Sequence, residues 1–332
     1  MFQSPPSPLT FCPPSCSVPG VMSYFASPEF FRFLLLGGVV SFHMTWRRLV
    51  NQIVPEPYLD EVFHVPQAQA YWAGRWQQWD PKITTPPGLY LFSYAVTSVR
   101  AFFNPKLKPT TEEWRFVNIS LLYLLLVALY IWTALGKKTV RHENVLQREF
   151  SIILFPLLFF FSGLYYTDVL STFTVVLTYI FWSASSSATG GLKVLYQLLH
   201  LLSGATALAT RQTNIFWVSV FLGGLQVIET VKTEFGAKNV HDPVVSEAYF
   251  EGRTKPHGHF SSDRSADFPI TSISMAQSAV TIIPKLVLAL WPPLLLLLSF
   301  AIFVVWNGGV VLGMTMLSSA SSVVADLYRR QG

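Results

Sequence analysis

Two adjacent carboxylates, Asp60 and Glu61, lie in the polar and aromatic stretch YLDEVFHVPQAQAYW, which occupies residues 58–72 beside strongly apolar sequence. Several nearby rings could stack on sugar faces: Tyr71, Trp72, Trp76 and Trp79. Carboxylates and amides bind hydroxyl groups, and a carboxylate near a membrane face can accept a proton from a hydroxyl while a leaving group departs. The combination indicates carbohydrate chemistry, with a solvated charge pair as the alternative.

A metal site is not indicated by this stretch. Glu61 and His64 have the spacing of a Glu-x-x-His metal pair, but one copy is a weak signal, and Pro66 disturbs the helix that it would need. Three further histidines fall within residues 230–278, a polar stretch of mixed charge that we expect to be a flexible loop. We therefore expect no metal.

Two ionisable residues sit beside long apolar segments. Asp168, in GLYYTDVLSTF, is a functional candidate because a charge within a membrane segment costs about 2.5–3.5 kcal/mol; alternatively, Thr167 or Asp168 is the N-cap of a helix. Arg211, in ATRQTNIFW with Gln212 and Asn214, could bind a lipid phosphate because its planar donors match phosphate oxygens. The alternative for Arg211 is a side chain that reaches out to water from a membrane boundary.

The surrounding sequence is that of a membrane protein. Hydrophobic residues make up 51% of the 332 residues and charged residues 12%, whereas a soluble domain carries about 25% charged residues. Blocks long enough to form membrane helices occupy residues 30–46, 87–103, 116–135, 150–166, 168–184, 192–210, 214–229 and 279–306. We predict an all-α polytopic protein with about seven or eight spans. The last block contains Pro292-Pro293 and is either one kinked span or a re-entrant pair.

Polar segments separate these blocks. Residues 47–85 form a first loop, in which Pro66 and Gly74 predict a short helix with proline in its first turn and glycine just past its end. We expect residues 1–28, rich in proline and serine, to be disordered. The net charge of +5 comes from basic residues in loops, where they set membrane orientation, so we expect no nucleic-acid partner.

Five motifs together resemble one enzyme family: YLDEVFHVPQAQAYW, WDPKITTPPGLYL, GLYYTD, RQTNIFW and FVVWNGGVVLG. The chain is similar over residues 29–313 to the endoplasmic-reticulum α-1,2-glucosyltransferases of the GT-C class. The resemblance implies a multi-pass protein whose active site faces the lumen from the first loop. It implies transfer from dolichyl phosphate glucose to the diglucosylated dolichyl-diphosphate-linked oligosaccharide, within membrane lipid and without a cofactor, as the last step of precursor assembly for protein N-glycosylation.

The resemblance also implies roles for individual residues. Asp60 would be the base on the acceptor 2-hydroxyl, with Glu61 as its orienter or as an alternative base, in one inverting displacement. The sugar site would be shaped by His64, Gln67, Trp79 and Asp80. The donor phosphate would face Arg211 and Lys82, with Asp168, Gln212 and Asn214 as further substrate-binding candidates.

The C-terminal segment departs from the family pattern. After Gly313 the family continues with a polar segment and further spans, whereas residues 314–332 here are a divergent tail. The alternative to an enzyme is therefore a catalytically inactive, shortened isoform that acts as an interaction partner or regulator of membrane proteins. A lipid-linked sugar transporter is disfavoured because the sequence lacks the inverted repeats and paired broken helices typical of transporters.

Overall fold

The computed structural model describes residues 28–135, 145–235, 276 and 279–310, and these residues form helices and no strand. The predicted all-α class is confirmed. Three predicted features lie outside the described residues: the disordered tail up to residue 27, most of the loop 230–278 with its histidines, and the C-terminal tail.

Ten α-helices and one π-helical segment are described in these ranges. In chain order they are α1 Pro28–Ile53, α2 Glu61–Trp72, α3 Gly88–Phe103, α4 Thr111–Leu135, α5 Val145–Ile153, α6 Pro156–Ser162, α7 Thr167–Ser187, α8 Gly190–Thr210, the π-helical segment Phe216–Phe221, α9 Leu222–Phe235 and α10 Ile283–Asn307. The two predicted polar loops are therefore shorter than expected, because α1 continues to Ile53 and α9 to Phe235.

Four helices in the described part of the chain are long and apolar enough to cross a membrane: α4, α7, α8 and α10. A shorter apolar helix covers Phe216–Val231. Large apolar side chains also face outward, as Val305 and Trp306 of α10 do with about four-fifths of their surfaces exposed. Such outward apolar faces suit helices whose solvent is lipid, and the protein is a multi-pass membrane protein.

Two proline sites decide features that the sequence left uncertain. The predicted segment 150–166 is divided between α5 and α6, because a residue that precedes proline avoids the helical conformation, and Phe155 is extended before Pro156 with ψ of 125°. By contrast, α10 runs through Pro292 and Pro293 as one helix, so the re-entrant alternative is wrong. The hydroxyl of Ser219 donates to the Pro293 carbonyl at 2.6 Å.

The helix pair α7 and α8 forms the largest helix–helix interface, with a connection of only two residues. A link this short makes the two helices antiparallel neighbours. The end of α8 then lies against the start of α3, since a Cβ added at Gly88 would overlap the Ala209 carbonyl. Glycine is needed here for a close backbone approach.

The chain divides into two compact units, Met1–Trp46 and Arg47–Gly332. In the first, the His43 ring shares a hydrogen bond of 2.9 Å with the Val39 carbonyl, one helical turn earlier. All of the predicted site residues belong to the second unit.

Candidate active site

The site is built around a strained corner at Leu59 and Asp60. Leu59 has a φ of +54°, a left-handed conformation that costs a non-glycine residue about 1–2 kcal/mol. The chain then enters α2, and the Asp60 carbonyl accepts the N–H groups of Phe63 and His64, each at 3.0 Å. The corner leaves the Asp60 side chain exposed.

The short helix predicted in this loop exists, but its predicted start is wrong. It begins at Glu61, so Pro66 lies inside it rather than in its first turn. Contacts made by Asp60 and Glu61 fix the first turn and outweigh the one hydrogen bond that proline cannot donate. Gly74, with a φ of +76°, follows the helix end as predicted.

The Glu61 carboxylate is fully buried and bound on both oxygens. Its Oε1 accepts Arg115 Nε at 2.9 Å and the main-chain N–H of Tyr165 at 2.6 Å. Its Oε2 accepts Arg115 Nη2 at 2.6 Å and the main-chain N–H of Tyr58 at 3.0 Å. Four donors thus compensate the burial of this charge, as a stable buried carboxylate requires.

Arg115, also fully buried, is satisfied as completely as its partner. Besides the two bonds to Glu61, its Nη1 donates to the Asn51 side-chain oxygen at 3.1 Å and to the Val54 carbonyl at 2.7 Å. Its Nη2 also donates to the Glu56 carbonyl at 3.1 Å. All five guanidinium N–H donors are therefore used. Through these hydrogen bonds Arg115, on α4, holds the segment that leads to Asp60.

A second set of contacts that supports the Asp60 backbone comes from the segment before α7. The buried Asn118 side chain donates to the carbonyls of Leu164 at 2.7 Å and Tyr166 at 2.8 Å. Held in this way, Tyr166 places its hydroxyl 2.6 Å from the Asp60 nitrogen and accepts that N–H. The peptide of Asp60 is therefore bound by a side chain 106 positions away.

His64 lies near several charged groups of the site. It is buried, shares a hydrogen bond of 2.6 Å with the Tyr90 hydroxyl, and packs edge-on against Tyr166. Burial lowers the pKa of His64; the nearby Asp60 carboxylate opposes this shift, and Arg211 adds to it. Asp168 and Glu61 also raise this pKa. The charges of Asp60, Asp168 and Arg211, widely separated in sequence, thus all act on one imidazole.

Asp168 and Arg211 form a partly exposed ion pair, with 2.8 Å between Arg211 Nη1 and Asp168 Oδ1. Asp168 lies in the first turn of α7, and Arg211 directly follows α8. Each charge is therefore at the helix end whose dipole favours it. The predicted helix start is confirmed, but Tyr166 occupies the N-cap position instead of Thr167 or Asp168.

The loop after α2 is held by Gln67. Its buried side chain donates to the Gln78 carbonyl at 2.7 Å and accepts the Asp80 N–H at 3.0 Å. The Asp80 carboxylate in turn accepts the Lys82 N–H at 2.9 Å. Gln67 therefore positions the loop, whereas the exposed Lys82 and the part-exposed Asp80 remain at the surface.

Aromatic rings continue this surface. Trp79 packs edge-on against Tyr90 with centroids 5.9 Å apart, and Tyr71 lies 5.1 Å from Trp76. Trp76 is nearly half exposed. Of the rings that the sequence singled out, Tyr71 and Trp76 are thus in contact with each other, while Trp79 packs on Tyr90 and Trp72 on Tyr94.

Gln212 and Asn214 serve as connections between segments. The Asn214 side chain, which is buried, accepts the Ser171 hydroxyl at 3.0 Å and donates to the Ala207 carbonyl at 2.8 Å. Gln212 donates to the Thr84 carbonyl at 2.8 Å. Both side chains therefore hold Arg211 and its neighbours against the rest of the site.

Sequence reasoning missed Arg115, Asn118 and Tyr166. Arg115 and Asn118 are polar residues inside an apolar helix, which is the signal that singled out Asp168. Within residues 28–135, 145–235 and 279–310 no group of three or more His, Cys, Asp or Glu side chains could hold a metal. Of the pair first considered for a metal, Glu61 has both oxygens bound.

Comparison with known proteins identifies the family. The model of the DIE2/ALG10 family matches residues 54–326, which include Asp60, Glu61, Asp168 and Arg211. The chain belongs to the DIE2/ALG10 family. The resemblance inferred from the five motifs is thereby confirmed.

Curated relatives come from fungi, animals and plants. The chain is 41% identical over 300 residues to a protein of Emericella nidulans, covering 85% of this chain and 47% of the relative. It is 33% identical over 275 residues to one of Rattus norvegicus, with 79% and 53% covered, and 31% identical over 304 residues to one of Arabidopsis thaliana, with 80% and 56% covered. Each is named Dol-P-Glc:Glc(2)Man(9)GlcNAc(2)-PP-Dol alpha-1,2-glucosyltransferase. The chain spans about half the length of these relatives, and no solved structure matches it.

Proposed function

We propose that this chain transfers glucose from dolichyl phosphate glucose to the diglucosylated dolichyl-diphosphate oligosaccharide, forming an α-1,2 linkage at the lumenal face of the endoplasmic-reticulum membrane. One observation carries the proposal. The Asp60 carboxylate is exposed and makes no side-chain hydrogen bond or ion pair within the described residues, while the backbone around it is held by buried groups. The names of the relatives supply the substrates.

The reaction needs one base. Asp60 accepts the proton of the acceptor 2-hydroxyl as that oxygen bonds to the donor sugar C1 and the bond from C1 to the phosphate oxygen breaks. Dolichyl phosphate leaves with the bonding electrons, and the single displacement inverts the configuration from β to α. Asp60 is free to take this proton because no protein donor in the described ranges occupies its oxygens.

Glu61 is better suited to orient Asp60 than to replace it. Its two oxygens already accept four N–H donors, and the side chain has no exposed surface. A substrate hydroxyl could approach it only after two or more of these bonds had broken. Glu61 therefore acts through the backbone that it fixes.

The leaving phosphate is expected to meet positive charge. Arg211 is about one-third exposed, and among the described residues its guanidinium is bound by Asp168 alone, so its remaining donors can bind a phosphate oxygen. Lys82, on the exposed side of the loop after α2, is the second cation. Fixed donors at the atom where negative charge develops stabilise the transition state.

The acceptor sugar is expected beside the rings of α2 and its following loop. His64 and Trp79 both contact Tyr90 and form one wall, and Asp80 presents a carboxylate next to it. The buried Gln67 side chain keeps the loop after α2 in place. Gln212 and Asn214 keep Arg211 in place. The membrane helices would contact the dolichol chains.

The test is expression of the unmodified chain in cells that lack the terminal glucosyltransferase, followed by sizing of the lipid-linked oligosaccharides. The proposal expects the three-glucose species to return with the unmodified chain and to be lost with Asp60→Asn. Glu56→Gln, which alters an exposed carboxylate of the same loop, is the matched control and should restore it. Persistence of the two-glucose species with the unmodified chain present in the membrane would overturn the proposal.

A further inference from the structure

Two adjacent tyrosines before α7 use their hydroxyl groups differently. The hydroxyl of Tyr165 donates to the Ser93 hydroxyl at 2.8 Å, deep in the helical packing. The hydroxyl of Tyr166 instead accepts the N–H of Asp60 at 2.6 Å. The two phenols thus give one matched chemical group in two settings, and only one of them touches the proposed base.

The contact falls at the one point of the described chain where a residue other than glycine has a positive φ. Leu59, immediately before Asp60, is held at +54°. A conformation of this kind persists only where surrounding contacts enforce it. Here the enforcing contacts are the Tyr166 hydroxyl on the Asp60 N–H and, one residue later, the Arg115 guanidinium on Glu61.

The ring of Tyr166 is itself fixed. It packs against Phe161 with centroids 4.8 Å apart and against His64 at 5.9 Å, and Asn118 binds its carbonyl. Burial is the main reason that the pKa of Tyr166 rises to about 12. The phenol is therefore neutral at physiological pH and serves as a rigid hydrogen-bond acceptor for the Asp60 peptide.

We infer that Tyr166 is a positioning residue for the Asp60 carboxylate, acting through the Asp60 main-chain N–H. The inference rests on the proposed glucosyl transfer and adds to it the group that orients the Asp60 carboxylate. Loss of the hydroxyl would leave the Asp60 N–H without its acceptor and free the Leu59–Asp60 peptide to rotate. A misplacement of about 1 Å in a catalytic group can cost about a hundredfold in rate.

The variant Tyr166→Phe keeps the ring and removes only the hydroxyl, and Tyr165→Phe makes the same change one residue earlier. In purified membranes supplied with both lipid-linked substrates, Tyr166→Phe is expected to lower kcat by about ten- to a hundredfold. Its KM values should stay near those of the unmodified protein, because Tyr166 supports the base and contacts neither substrate in this proposal, so that its loss lowers kcat and kcat/KM together. Tyr165→Phe should leave kcat near its original value.

A second measurement does not require turnover. Hydrogen–deuterium exchange of the Asp60 amide should be faster in Tyr166→Phe than in the unmodified protein, and unchanged in Tyr165→Phe. Equal exchange in the two variants, or a fall in activity that only follows a fall in folded protein, would overturn the inference.

Asp60→Asn, assayed in parallel, separates the inference from the proposed function. Activity that survives Asp60→Asn refutes the role of Asp60 as base, whatever Tyr166 does. An inactive Asp60→Asn beside a fully active Tyr166→Phe refutes only the positioning role.

Discussion

The buried pair of Glu61 and Arg115 makes a quantitative prediction about stability. In Glu61→Gln, one carboxylate oxygen becomes an NH₂ group of nearly the same size. Each Glu61 oxygen accepts two N–H donors, so in either amide orientation the new NH₂ group faces two donors. Each N–H donor left without an acceptor costs about 1–3 kcal/mol. The cost of two such donors agrees with the loss of about 3–5 kcal/mol that follows removal of one partner of a buried ion pair.

Glu112→Gln is the matched control, because Glu112 pairs with Arg47 at 2.9 Å while more than half of its side chain is exposed. An exposed ion pair contributes about 0–1 kcal/mol. The assay is denaturant titration of the two variants in detergent micelles, followed by circular dichroism, with the unmodified protein as reference. We expect Glu61→Gln to lose at least about 3 kcal/mol. A loss no larger than that of Glu112→Gln would refute the reasoning that this network holds the loop.

Two further predictions concern packing and pH. Gly88→Ala should lower stability by about 1–3 kcal/mol, the usual cost of overpacking, because its Cβ would overlap the Ala209 carbonyl. The control is Gly191→Ala, whose Cβ would meet no atom within 4 Å and which should be near neutral. Thermal unfolding of the two variants measures the difference. His64 has a folded-state pKa below its ordinary value of 6.5, so below pH 6.5 the unfolded chain binds a proton that the folded chain does not. Stability should therefore fall as pH drops through and below 6.5, and denaturant midpoints should show a shallower fall in His64→Gln; an equal fall would exclude His64 as a cause.

Helix positions could be predicted from sequence because they depend on local composition. The apolar blocks predicted the described helices other than α2, and proline accounts for the break between Ile153 and Pro156. The start of α2 was missed for the opposite reason. Its first turn depends on Glu61 and Arg115, which are 54 positions apart, and a local rule about Pro66 contains nothing of that contact.

The site residues show the same limit. Residue type and position beside apolar segments were enough to select Asp60, Asp168 and Arg211 as candidates. Their arrangement was not accessible, because the ion pair of Asp168 with Arg211 spans 43 positions and the Tyr166 contact spans 106. Tyr166 itself is an aromatic residue in an apolar context, and its type alone gives no reason to choose it over Tyr165.

The two adjacent carboxylates have opposite environments for a geometric reason. Successive residues at the start of a helix point about 100° apart, so a partner that buries Glu61 leaves Asp60 directed elsewhere. A carboxylate that accepts four N–H donors has its lone-pair sites occupied, whereas a carboxylate without such donors can accept hydrogen bonds from a ligand. The Arg115 pairing that occupies Glu61 is therefore the same contact that fixes the backbone next to Asp60, the base in the proposed mechanism. Asp and Glu carry the same carboxylate group, but the Glu side chain is one methylene longer. Interchanging the two residues would therefore move both carboxylates away from the positions that the backbone sets for them. Asp60→Glu should retain Glu61 in its network and yet lose activity, since its added methylene moves the carboxylate while all four donors to Glu61 remain in place.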